Sequence, residues 1–290
     1  MRLDRPDGNL PPTRRLVVAA SLFTAGYAPA ALADDAHPIT TPGEGLIQED
    51  VHVIGAAHYN LPAFVARPTG HGRHACVVVV NEIFGIHAYI KDICRRLAHR
   101  GYIAIAPDYF DRAGDPSTLT DFAAIRPIIA TATYEQVMAD TQGAIDWVKH
   151  QAYSNHKFGI TGFCWGGNVV WMAAARSPDV RAGVAWYGQL VAPPTPAPND
   201  PNRPYPADIA THLHAPVLGL YGALDQGISQ ESVQRMRTAL ASNSNPTHSE
   251  IVVYPDAPHG FHADYRSSYV EHDARDGWGR LTAWFESYLS

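Results

Sequence analysis

Lys157-Phe158-Gly159-Ile160-Thr161-Gly162-Phe163-Cys164-Trp165-Gly166-Gly167 is the stretch on which the fold of this 290-residue chain turns. Lys157 to Gly162 has the apolar, β-branched character of a buried strand, and Gly167 to Arg176 reads as a helix. Between them Cys164 has a glycine two places away on either side. A strand-to-helix turn this sharp holds its middle residue in a strained backbone, and the flanking glycines remove the Cβ atoms that would clash. The turn projects the sulfur above the sheet and aims the amides of Trp165 and Gly166 toward it. The helix N-terminus favours negative charge there. The plainer reading of the same residues is a buried cysteine in a Gly-rich turn, and the rest of the chain decides between the two.

Outward from this junction the elements alternate. Asp50 to Ile54 and Leu61 to Arg67 read as the two short alternating strands of a hairpin. Ala75-Cys76-Val77-Val78-Val79-Val80 is an unbroken apolar run, followed by an amphipathic helix from Tyr89 to Arg100 that Gly101 closes. Further strands read at Tyr102–Pro107, Ala182–Tyr187, Pro216–Tyr221 and Glu250–Tyr254. Helices read at Tyr134–His150, Ser229–Ala241 and Val270–Leu289. Such alternation specifies an α/β protein: a doubly wound, mostly parallel sheet with helices on both faces, ligands binding beyond the carboxyl ends of the strands. No linker separates two cores, so residues 49–290 read as one domain, preceded by a Thr/Pro/Gly linker over 34–48. The insert Gln189 to Thr211, with seven prolines, is either a stiff surface loop or a wall or lid of the pocket.

The residues after the strands carry the chemistry. A hydrolase of this architecture needs a nucleophile, then an acid, then a histidine along the chain. Tyr221-Gly222-Ala223-Leu224-Asp225 puts Asp225 where the acid belongs. Pro258-His259-Gly260-Phe261 puts His259 ahead of the last helix. Asp225 alone would pass as a helix cap and His259 alone as a loop histidine; three in the required order read as a Cys164–His259–Asp225 triad on an α/β-hydrolase fold. Asn81-Glu82-Ile83-Phe84-Gly85-Ile86 follows the apolar run, where the fold supplies a second oxyanion donor: the amide of Ile83 beside that of Trp165. Glu82 is an isolated carboxylate on an otherwise apolar strand end.

From about Glu49 to its end the chain resembles the dienelactone hydrolase family. The resemblance is carried by Asn81–Ile86, Arg100–Asp108, Tyr153–Asn155, Gly162–Gly167, Trp186–Gly188 and Pro258–Phe261. It implies a cysteine hydrolase that opens lactones or activated small esters, resembling carboxymethylenebutenolidase, through a thioacyl-enzyme. It also implies that Glu82 is a gating carboxylate, holding the thiol at rest and taking its proton when substrate binds. The family's butenolide-degrading members grip the substrate carboxylate with arginines, one just after the catalytic histidine. Here the nearest, Arg266, lies farther on; Arg112 and Arg126 are candidates for the second, and Phe84 and Tyr187 for further substrate contacts.

Composition narrows the partners. At 46% hydrophobic and 17% charged the chain folds, and a net charge of −6 argues against nucleic acid or an anionic membrane. Three cysteines make no disulfide framework. The pairs His212/His214 and His259/His262 lack the carboxylate of a zinc-hydrolase motif, so neither metal nor cofactor is expected. The expected partner is a small ester or lactone, with the protein a monomer or small homo-oligomer. Residues 1–33 read as a signal peptide: Arg14-Arg15, a modest apolar segment from Leu16, then Ala31-Leu32-Ala33. It resembles a twin-arginine leader and implies a periplasmic protein, with no membrane span in the mature form. Two other functions fit less of the sequence. A non-catalytic binder of small acyl compounds has no need of a triad, and a thiol-redox role for Cys164 lacks an evident resolving cysteine.

Overall fold

Nothing between Ala75 and Val80 has a polar side chain to keep wet, and in the computed structural model this run is β3 (His74–Val80), the interior of an eight-stranded sheet. The structure describes residues 38–193, 200–242 and 248–290. All six residues are at most 5% exposed. Successive strand residues point to opposite faces, so burial of the whole run requires cover on both.

The remaining strands are β1 (Leu46–Ile54), β2 (Asn60–Pro68), β4 (Ile103–Pro107), β5 (Ser154–Phe163), β6 (Val180–Trp186), β7 (Val217–Gly222) and β8 (Glu250–Tyr254). Their order across the sheet is β1-β2-β4-β3-β5-β6-β7-β8. β1 and β2 form an antiparallel hairpin, β2 joins β4 antiparallel, and every pairing from β4 to β8 is parallel. The helices are α1 (Ala88–His99), α2 (Phe122–Ala130), α3 (Tyr134–Lys149), α4 (Trp165–Arg176), α5 (Gln230–Ala241) and α6 (Glu271–Leu289). This is the mostly parallel α/β sheet that the alternation of elements specifies.

Three features depart from the expectations. The sheet begins at Leu46, inside the stretch read as linker, because β1 pairs with β2 along its whole length from Leu46↔Pro68 to Ile54↔Asn60. The chain just before it is docked rather than loose: Thr41 donates to the buried carboxylate of Asp92 on α1 through its amide (2.6 Å) and its hydroxyl (3.1 Å). Second, α2 had no counterpart in the sequence reading. It carries Pro127 in its interior, which masks its helical signal, and Asp121 caps it by accepting from the Ala123 amide at 2.9 Å. Third, the insert contains a helical turn at Pro206–Ile209 and is pinned to α4 through Asn168, whose amide donates to Gln189 O (2.8 Å) and accepts from Arg203 (2.9 Å). The leader expected over 1–33 lies outside the described residues. Among the described residues no helix is long and apolar enough to cross a membrane.

Candidate active site

The chain runs from β3 to β4 on one side and returns to β5 on the other, so strand order switches at β3/β5 and a crevice opens beyond their carboxyl ends. Val80 is in register with Gly162. Glu82 and Cys164 therefore stand two residues past a paired position, at the ends of neighbouring strands.

Cys164 sits between β5 and α4 at φ 55°, ψ −114°. A non-glycine residue reaches that conformation only when its surroundings impose it. Here the Cys164 amide donates to Trp186 O at the end of β6 (3.0 Å). The neighbouring glycines are obligatory: a Cβ on Gly162 would lie 2.4 Å from Gly166 O, and one on Gly166 would lie 2.5 Å from Val80 O. The backbones are that close because the start of α4 is pressed onto the strand ends, which puts the sulfur at the helix N-terminus. Cys164 is 5% exposed.

Asp225 and His259 reach the same place from β7 and β8. The loop after β7 is stitched to the loop after β8 by Ala223 N to Tyr254 O (2.8 Å) and Leu224 N to Ala257 O (3.1 Å). That stitching brings the two side chains together. His259 Nδ1 donates to Asp225 Oδ2 at 2.7 Å, while Asp225 Oδ1 accepts from the amides of Gly227 (2.8 Å) and Ile228 (3.1 Å). The carboxylate is thus fixed on both oxygens. Burial works against a charged imidazole, but the Asp225 carboxylate and the Cys164 sulfur, each also a hydrogen-bond partner of His259, outweigh it and push His259 up to about 10. The three residues are in contact in sequence, acid to imidazole to thiol.

Glu82 is fully buried. Its Oε2 accepts from the Tyr265 hydroxyl (2.5 Å) and faces His87 Nε2 at 3.8 Å; its Oε1 faces Arg266 Nη1 at 3.8 Å. Burial alone would raise its proton affinity, and the charge of Arg266 with contributions from His87 and Tyr265 reverses that, holding the carboxyl down to about 2. Arg266, 2% exposed, stacks its guanidinium over Phe84 (5.0 Å) and Tyr265 (5.6 Å) and feels the charge of Glu82. Its distance from His259 in sequence is absorbed by the turns of the 260–270 loop, closed by Ala263 N to Gly260 O and Val270 N to Phe261 O, both 2.9 Å.

Among the other candidates, Tyr187 is fully buried at φ 37° with its ring edge-on to His259 (5.1 Å). Trp165 is wedged against Phe110 (4.9 Å) and Tyr109 (5.6 Å), and Ile83 lies buried directly after Glu82. The structure does not bring Arg112 or Arg126 into this cluster. Arg112 forms a two-pronged pair with buried Asp140 (2.7 and 2.8 Å) over the ring of Tyr59, so its charge is spent on the scaffold. Arg126 is exposed on α2. His262, considered above as half of a metal pair, is buried among Trp186, Phe163 and Trp278 and bonded to the Tyr89 hydroxyl (2.6 Å).

The family model for the dienelactone hydrolases matches residues 61–289, nearly the whole of the sheet and every residue of the cluster. The chain belongs to the dienelactone hydrolase family. It is 46% identical over 266 residues to a Salmonella typhimurium protein named "Putative carboxymethylenebutenolidase", covering 91% of this chain and 96% of that one. A Methylorubrum extorquens protein of the same name is 44% identical, over 95% and 93% of the two chains. The crystal structure of a "Putative Dienelactone Hydrolase" from Klebsiella pneumoniae superimposes with a TM-score of 0.78 at 44% identity, covering 84% of this chain and 99% of that one.

Within this dienelactone hydrolase site, two residues escaped the sequence reading: Tyr265 and His87, which hold Glu82. Neither belongs to a motif. His87 stands just before the first turn of α1 and Tyr265 lies in a loop, and only the folding of that loop onto the end of β3 brings them to one carboxylate.

Proposed function

We propose that this dienelactone hydrolase family member opens lactones and activated small carboxylic esters through a thioacyl-enzyme on Cys164, and that its substrates carry a carboxylate received by Arg266. The observation supporting it most directly is the unbroken contact from Asp225 through His259 to Cys164 at a strained strand-to-helix turn. A name borne by a more distant relative, 29% identical over 238 residues, agrees with the substrate class: the Bradyrhizobium protein is a "Probable 2-oxo-3-(5-oxofuran-2-ylidene)propanoate lactonase", whose substrate is a lactone bearing a carboxylate.

In this reading Glu82, as the gating carboxylate, takes the thiol proton when substrate binds, and the sulfur attacks the ester carbonyl. The amides of Ile83 and Trp165 hold the resulting oxyanion, each such donor contributing about 3–4 kcal/mol to the barrier reduction. Collapse forms the thioester and expels the ring oxygen, which leaves readily as an enolate. Water then gives a proton to His259 and attacks the thioester, releasing the acid and restoring the thiol, with Asp225 keeping the imidazole in the right tautomer. Glu82 gives the proton it took to the departing enolate, which returns the carboxylate to its charged resting form. The leader, with its arginine pair, makes this an exported, periplasmic activity; an intact Met1 on the mature protein would refute that part.

Hydrolysis of p-nitrophenyl esters and butenolides by wild type and Cys164→Ala tests the chemistry. Loss of at least about a thousandfold in kcat is expected of the variant. Equal rates would overturn the mechanism.

A further inference from the structure

Glu82 and Arg266 are oppositely charged, buried and adjacent, yet they do not close on each other. Their nearest approach, 3.8 Å, is too long for a hydrogen bond. Arg266 Nε, Nη1 and Nη2 and Glu82 Oε1 are all buried with no hydrogen-bond partner. Other pairs in the same chain do close. Arg112 meets Asp140 at 2.7 and 2.8 Å, and Arg96 meets Asp92 at 2.6 Å. A buried guanidinium with no hydrogen bonds is costly, and a mobile carboxylate beside it would be drawn in.

What restrains Glu82 is its other oxygen. The Tyr265 hydroxyl donates to Oε2 at 2.5 Å, with His87 facing the same atom. The Tyr265 ring is in turn fixed between His87 (centroids 4.9 Å apart) and Tyr89 (5.3 Å). We propose that Tyr265 is a positioning residue: its hydroxyl tethers Glu82 away from Arg266, leaving the guanidinium open to the carboxylate of an incoming substrate. The proposal rests on the reading of Arg266 as the receptor for that carboxylate and goes beyond it in naming the residue that keeps the receptor unblocked. Without the tether, Glu82 turns both oxygens to Arg266, as Asp140 does to Arg112, and an anionic substrate must displace it.

The test compares mono-p-nitrophenyl glutarate with p-nitrophenyl valerate, acyl chains of similar length that differ in a terminal carboxylate. The quantity read is the ratio of KM for the anionic ester to KM for the neutral one. Tyr265→Phe keeps the ring and is expected to raise that ratio about tenfold, the factor that one charge-assisted hydrogen bond corresponds to. Adding Glu82→Gln to it is expected to return the ratio toward wild type, because an amide has no charge with which to occupy Arg266. Tyr265→His, which retains a ring N–H donor, is expected to keep the ratio within about threefold of wild type and serves if the phenylalanine variant does not fold. An unchanged ratio in Tyr265→Phe, or a raised one that Glu82→Gln does not lower, overturns the tether. Arg266→Met separates the two ideas. If it leaves the wild-type ratio unchanged the receptor reading itself fails; if it raises the ratio while Tyr265→Phe does not, the tether alone is wrong.

Discussion

Individual side chains in this protein are tuned in opposite directions within three residues of one another. His259 is pushed up to about 10 by a carboxylate and a sulfur, whereas His262, three residues on, is driven down to about 3 by burial and by the charge of Arg96. The signs set the pH dependence of stability. The contribution of His259 is complete below about 6.5 and is lost as pH rises through about 10. For His262 the unfolded chain binds a proton below about 6.5 that the folded chain refuses until about 3, so stability is lost as pH falls through that window. Glu82, held near 2, adds an acid-side loss between about 4.5 and 2. Replacing His262 by Phe removes its share of that slope. Relative to wild type, the variant should gain about 2 kcal/mol between pH 7.5 and pH 4.5, read by chemical denaturation at both values. Parallel pH dependences would contradict a neutral, buried His262.

At the scale of the element, the turn between β5 and α4 is where sequence and structure agree most closely. The glycine spacing around Cys164 predicted a close approach of backbones, and the distances from Gly162 and Gly166 to carbonyl oxygens show it. Gly166→Ala would press a methyl against Val80 O and Asn81 O, backbone atoms of a central strand end that cannot retreat. We expect a loss of about 2–4 kcal/mol, seen as a Tm lower by roughly 5–10 °C. A drop of under about 2 °C would mean the turn has more slack than its geometry indicates. Strands and helices with strong periodicity were legible, within a few residues, from the order of apolar and polar residues alone. The helix Phe122–Ala130 was not, because Pro127 breaks its pattern and its cap, Asp121, reads equally as a turn residue.

Across the whole molecule, Asp140 on α3 ties distant parts together. Besides the pair with Arg112 it accepts from the amide of Ala56, 84 residues away, at 2.7 Å, fastening the β1–β2 hairpin to the parallel body of the sheet. Asp140→Asn leaves a largely buried guanidinium without its counter-charge and should cost about 3 kcal/mol. It should leave KM for an anionic ester unchanged, since Arg112 stands outside the cluster around Cys164; a raised KM, at matched folding, would restore Arg112 as a substrate contact. The same lesson applies to the arginines together. Sequence distance from His259 counted against Arg266 and favoured no other candidate, yet the turns of the 260–270 loop place Arg266 at the site and the bond to Asp140 withholds Arg112.

The chain's order of residues determined which elements form and which side chains follow them: alternating runs with a period of two or of 3.6, and Cys164, Asp225 and His259 each placed after a strand, are local properties that any α/β sheet converts into one crevice. The partners of Glu82 were decided by the tertiary structure alone. Tyr265, His87 and Arg266 come from a loop and a helix start far apart in sequence, and a carboxylate's nearest charge in a buried site depends on how those segments pack, which no local pattern encodes.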